Sequence, residues 1–221
     1  MEVRNAAAHR ELGEAYLQSR RFKEAVEQFQ VCIRLSPTDP AAYYGLGMAY
    51  SEVGQHEKAA AAFQDAIRLE PDSADTYCRL ATSYLHLKMQ AEAKKAAQEA
   101  LRLKPDSADA YLCLGCALHE PRTFQEAVAA YRKSLELDPG QFVALANLGD
   151  ACLQLGQFEE ARDALVRAGQ INSNDAKLHL LLGEAYLSLG RRDEAFREVE
   201  ALRQLDGSLA DTLARLLNAP S

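Results

Sequence analysis

Leucine and alanine return along this chain with a fixed step of 34 residues. The leucines are Leu12, Leu46, Leu80, Leu114, Leu148 and Leu182. Ala25, Ala59, Ala93, Ala127, Ala161 and Ala195 each follow 13 places later. Pro37, Pro71, Pro105 and Pro139 keep the same step. A period of this length marks stacked helical hairpins, in which each unit touches only its neighbours and the core is a continuous seam.

Residues 40–73 show the unit at its clearest. Asp39 suits a helix N-cap, and Pro40 suits a first turn, where its missing N–H leaves no gap. Tyr43, Leu46, Gly47 and Tyr50 fall on one helical face. Gly54 stands where the chain needs a left-handed turn. Ala59, Phe63, Ala66 and Ile67 share a face of a second helix, and Glu70-Pro71 ends it, because the residue before proline resists helical geometry. Gly13, Gly47, Ala81, Gly115, Gly149 and Gly183 keep one register beside the leucine. A glycine inside a helix costs about 1 kcal/mol against alanine, so the register predicts close helix approach rather than helix propensity. Tyr16, Tyr50, Tyr84 and Tyr186, with Phe29, Phe63 and Tyr131, are expected to fill the space between hairpins.

The pattern Tyr43-x2-Leu46-Gly47-x2-Tyr50, then Ala59-x3-Phe63, then Pro71 resembles the tetratricopeptide repeat. The resemblance covers 6–39, 40–73, 74–107, 108–141, 142–175 and 176–209. It implies an all-α, right-handed α-α superhelix (solenoid) of six such hairpins, a single array over residues 1–221, with a capping helix at about 209–218. The copies depart locally. Ala97 replaces the aromatic of repeat three, Leu118 and Cys152 replace the second tyrosine, and Ser173 and Gly207 replace the closing proline. His119-Glu120-Pro121-Arg122 reshapes the turn of repeat four, where Pro121 is expected to stop the first helix.

In this family the first helices line a concave groove that holds a ligand. Carried over by position, the resemblance implies groove places at Arg10 and Glu14, Tyr44 and Met48, then Cys78, Arg79, Thr82 and Leu85. It continues through Leu112 and Cys116, Asn147 and Asp150, and Leu180 and Glu184. Cys113, His86, His119 and Lys177 border them. The central places are apolar and soft. Among the groove positions, eight acids (Glu11, Glu14, Glu52, Asp75, Asp109, Glu120, Asp150, Glu184) face three bases (Arg10, Arg79, Lys177). Methionine and aromatic side chains suit adaptable apolar recognition, so the expected partner is a peptide or helix with apolar anchors and basic flanks. The carboxylate clamp known in the family is not expected. Glu14 and Gly45 stand in its asparagine places and Asp75 stands in a lysine place.

The net charge of −7, with no block of Lys or Arg, disfavours nucleic acid and anionic membrane surfaces. No run of 18 apolar residues exists, so no membrane insertion is expected. Five cysteines, an odd number, predict free thiols in a reducing, cytoplasmic compartment. The first residues lack the apolar core of a signal peptide. Cys113-x2-Cys116-x2-His119, with Cys78 and His86 nearby, carries soft-ligand chemistry, yet the outer positions drift around the helix. Neither a metal nor any other cofactor is predicted. No nucleotide loop, nucleophile elbow or His-Glu-x2-His motif is present, and no catalytic residues are predicted.

The sequence therefore predicts a non-enzymatic adaptor that binds a protein or peptide in its groove. Two alternatives stand beside it: a self-associating structural scaffold, forming a homo-oligomer, and the helical arm of a larger protein.

Overall fold

The computed structural model describes residues 2–218, with side chains from Asn5 onward, and all secondary structure in that range is helical. The chain divides into two compact units, Met1–Ala117 and Leu118–Ser221. The first holds α1 (Glu2–Gln18), α2 (Phe22–Leu35), α3 (Pro40–Glu52), α4 (His56–Leu69), α5 (Ala74–His86), α6 (Gln90–Leu103) and α7 (Ala108–Ala117). The second holds α8 (Phe124–Leu137), α9 (Phe142–Gln154), α10 (Phe158–Ile171), α11 (Ala176–Ser188), α12 (Arg192–Leu205) and α13 (Gly207–Asn218).

Punctuation follows the repeat. Asp39 accepts N–H bonds from Ala41 and Ala42, with Pro40 opening α3. Ser73, Ser107 and Asp175 cap α5, α7 and α11 in the same register. The hairpin turns hold a left-handed residue at the same repeat position five times: Arg20, Gly54, Lys88, Gly156 and Gly190, with φ between 58° and 74°. Glycine takes this conformation without a steric cost, whereas Arg20 and Lys88 bear one. Each second helix ends on an extended residue: Ser36, Glu70, Lys104, Asp138, Asn172 and Asp206. At Asn172 and Asp206, where the proline is missing, the side chain holds the turn instead. Asn172 accepts from the Asn174 N–H, and Asp206 accepts from Ser208 and Leu209.

Repeat four ends its first helix early. Helix α7 ends at Ala117, four residues before Pro121. Pro121 has no N–H to give the Ala117 carbonyl, and the Leu118 carbonyl is taken by the Glu120 N–H at 2.8 Å and by the Thr123 hydroxyl at 2.7 Å, so a turn follows the helix.

Size complementarity builds the core. Phe29, Phe63 and Tyr131 are fully buried, and so are the six repeating alanines from Ala25 to Ala195. A Cβ added at Gly47 would come within 2.6 Å of the Phe63 ring, and one at Gly13 within 2.9 Å of Phe29. In the second unit Gly149 faces Leu165 in the same way, and Gly183 faces Leu213 of α13. Where repeat three has Ala97 instead of an aromatic, the partner is Ala81 rather than glycine, and both are fully buried. Helix α6 buries alanines alone: Ala93, Ala96, Ala97 and Ala100.

The repeating leucine is buried in four copies, but Leu12 is 42% exposed, because no helix among the described residues covers that side of α1.

Candidate partner-binding face

Which face can receive a partner follows from which helices touch. In the first unit α1 packs on α3, α3 on α5 and α5 on α7, whereas α2, α4 and α6 do not touch one another. In the second unit α9 packs on α11 and α11 on α13, whereas α8, α10 and α12 stay apart. Close spacing on one layer and wide spacing on the other makes the first-helix layer the inner, concave side of each unit.

Within the first unit, that layer carries Arg10, Glu14, Tyr44, Met48, Cys78, Arg79, Thr82, Leu85, Leu112 and Cys116. Tyr44, Met48, Leu85, Leu112 and Cys116 are half-buried, while Cys78 is buried and Arg79 and Thr82 are exposed. Tyr44 is a wall as well as a surface: its ring tilts against Phe63 at 5.8 Å between centroids. Its hydroxyl donates to Asp75 in a short hydrogen bond. Burial, then that carboxylate, push the tyrosine pKa up. Met48, Arg79 and Thr82 line a cavity of about 240 Å³ with Glu52, His56 and His86. The two imidazoles stack there at 4.2 Å, and the buried Nδ1 of His56 has no partner among the described residues. Desolvation, then the neighbouring His56, lower the His86 pKa.

The expected cations are all held by acids. Arg10 pairs with Glu14 at 2.9 Å and Asp39 at 3.4 Å. Arg79 meets Asp75 at 3.7 Å, and Lys177 meets Asp150 at 3.2 Å.

The second unit brings Asn147, Asp150, Leu180 and Glu184 to its inner layer, all half-buried. The His119 side chain lies 3.7 Å from Asp150, and together with Lys177 it holds the Asp150 carboxyl below its usual range. Glu184 moves the other way: burial, then the Asp150 charge, raise its pKa. It makes no ion pair among the described residues. Asn147 and Lys177 also line a cavity of about 160 Å³ with Phe142, Val143, Ala146 and Leu181.

Of the soft residues expected around Cys113, Cys78 adjoins it and the two histidines have other partners. Cys113 turns to Cys78 and Thr82, His119 packs on Phe124 and Tyr131, and His86 stacks on His56. Among the described residues no three His, Cys, Asp or Glu side chains converge as metal ligands. The sequence reading missed the His56–His86 stack. The two residues sit 30 apart, and only the hairpin register, which sets the end of α5 beside the start of α4, brings them together.

Paired helices in two layers, with the first layer packed inward, define a helical-hairpin repeat protein. Tetratricopeptide-repeat profiles match residues 13–54, 40–73, 62–95, 90–142, 130–163, 149–190 and 176–206. The chain belongs to the tetratricopeptide repeat family, and its fold is the all-α array of that family. Solved structures agree at low identity. A chain of the APC/C hetero-tetramer Cut9–Hcn1 is 22% identical with a TM-score of 0.86, over 97% of this chain and 43% of that one. This chain thus spans less than half of that relative. PilF of Pseudomonas aeruginosa is 20% identical with a TM-score of 0.84, covering 97% of this chain and 98% of its own. YrrB, described as a TPR protein with an unusual peptide-binding site, is 22% identical with a TM-score of 0.66 over 86% and 99%. No curated protein sequence matches the chain. No helix among the described residues is long and apolar enough to cross a membrane.

Proposed function

We propose that the chain is a protein-interaction adaptor and that the inner layer of its first unit holds a peptide or helix of a partner protein. The observation that carries the reading is the inner layer of half-buried Tyr44, Met48, Leu85, Leu112 and Cys116, flanked by cations already neutralised by acids. Apolar anchors find soft, adaptable surface there, and the surplus of carboxylates favours a partner with basic flanks. In the second unit Asn147, Asp150, Leu180 and Glu184 form the corresponding face, and Glu184 is placed to take a lysine or arginine. The peptide-binding character of YrrB and the assembly of Cut9 with Hcn1 are consistent with this class of role.

The test is selection from a random peptide display library on the immobilised chain. Binding is then measured to the chain carrying Tyr44→Asp and Leu112→Asp. Enriched peptides should share spaced apolar residues with Lys or Arg beside them. They should lose at least ~10-fold in affinity on the double variant, as expected for the loss of two anchor contacts, while far-ultraviolet circular dichroism stays unchanged. Peptides that bind the double variant equally well would place recognition elsewhere.

A further inference from the structure

Two of the five cysteines come together although they stand 35 residues apart. Cys78 lies on α5 and Cys113 on α7, first helices of adjacent hairpins that pack against each other. The Cys113 sulfur is 3.7 Å from the Cys78 carbonyl and 3.6 Å from the Thr82 hydroxyl. Both belong to one apolar cluster with Leu80, Ala81 and Ala110. They are not sealed: Cys78 keeps 6% and Cys113 7% of its surface, on the inner layer beside exposed Thr82. The other buried thiols are placed differently. Cys32 faces Asp39, and Cys152 faces Gln157.

We propose that Cys78 and Cys113 form a dithiol site that hydrogen peroxide converts to a disulfide, stapling α5 to α7 on the inner face. The Cys113 thiolate attacks one oxygen of the peroxide, the O–O bond breaks, and Cys113 becomes a sulfenic acid while the other oxygen leaves as water after taking a proton. The Cys78 sulfur then attacks the Cys113 sulfur, the S–O bond breaks, and a second water leaves. In sum two thiols and one peroxide give one disulfide and two waters. The thiols lose two electrons, and the peroxide gains them.

The surroundings assign the roles. Hydrogen bonds from the Cys78 thiol and then the Thr82 hydroxyl favour the charged form of Cys113 and lower its pKa. Cys78 is raised by that same bond and by burial. Cys113, whose sulfur also has the Thr82 hydroxyl 3.6 Å away, is accordingly the attacking thiol and Cys78 the resolving partner. A disulfide needs Cα atoms within about 7 Å, so the staple requires α5 and α7 to meet that closely at Cys78 and Cys113.

The test uses the full, reduced chain treated with graded hydrogen peroxide, alkylated and digested with trypsin. The disulfide joins the fragment 69–79 to the fragment 103–122, which carries both Cys113 and Cys116. The joined fragments should appear in the wild type and in Cys116→Ser, and vanish in Cys113→Ser and in Cys78→Ser. Thiol titration of the folded wild type should show two fewer reactive groups after treatment, and dithiothreitol should restore them. Thr82→Val removes the hydroxyl beside Cys113 and should slow disulfide formation several-fold without changing helical circular dichroism. Joined fragments that survive in Cys113→Ser would overturn the assignment. So would sulfinic acid at Cys113 with no joined fragments in the wild type.

Discussion

Replacing Gly47 by alanine tests the packing argument, because two effects oppose each other there. Alanine is the better helix former by about 1 kcal/mol. Yet its Cβ would stand 2.6–2.8 Å from three atoms of the Phe63 ring, which is fully buried. Overpacking of this kind costs about 1–3 kcal/mol. The single variant should therefore be neutral to destabilised by about 2 kcal/mol, with the expected gain lost. Phe63→Ala alone opens a cavity and should cost about 3–5 kcal/mol. In that background the ring is gone, so Gly47→Ala should recover its full gain of about 1 kcal/mol. The coupling between the two sites is then about 1–3 kcal/mol. Repeat three already carries the double exchange as Ala81 and Ala97. Urea titration followed by circular dichroism at constant slope measures all four corners of the cycle. Additivity within about 0.5 kcal/mol, or a Gly47→Ala variant stabilised by the whole propensity gain, would refute the reasoning.

Further outcomes follow from the turns and charges. Lys88→Gly should be neutral to stabilising by up to about 1 kcal/mol, since φ is 58° there, whereas Gly54→Ala at φ 74° should destabilise by a similar amount; thermal melts separate them. Asn172→Ala removes the acceptor that holds the Asn174 N–H and should cost about 0.5–2 kcal/mol in the same assay. At His179 burial works to lower the pKa. The Glu198 carboxylate at 2.6 Å and the Ser173 carbonyl at 2.9 Å outweigh it, and the net shift is upward from 6.5. A raised folded value stabilises at low pH and is lost as pH rises through it. The urea midpoint of the wild type should therefore fall, relative to His179→Gln, between about pH 6 and pH 8. An unchanged difference would deny the pair that role.

The repeat was legible because its signals are local. Asp39, Pro40 and Gly54 act within one turn of chain, and the structure places each where its chemistry requires. Glycine against aromatic was readable as close approach, since nothing else explains Gly47 in a helix. Other features were hidden because they depend on neighbours in space. The extended backbone at Asn172 and Asp206 survives without proline through side-chain bonds that a proline count does not reveal. The turn after α7 is held by Thr123, two residues beyond the proline, whose hydroxyl donates to the Leu118 carbonyl. On the inner face the positions were legible, but their pairing was not. Arg79 with Asp75 is a one-turn neighbour, whereas Tyr44 with Asp75 and Cys78 with Cys113 arise only when consecutive hairpins stack.

Because the outer helices of a unit meet inner helices but never one another, the inner layer is the one in which like helices abut from hairpin to hairpin. The outer rods share no contact with one another that a change of curvature would tear. A unit built this way flexes like a leaf spring, and a guest seated along the seam would stiffen it.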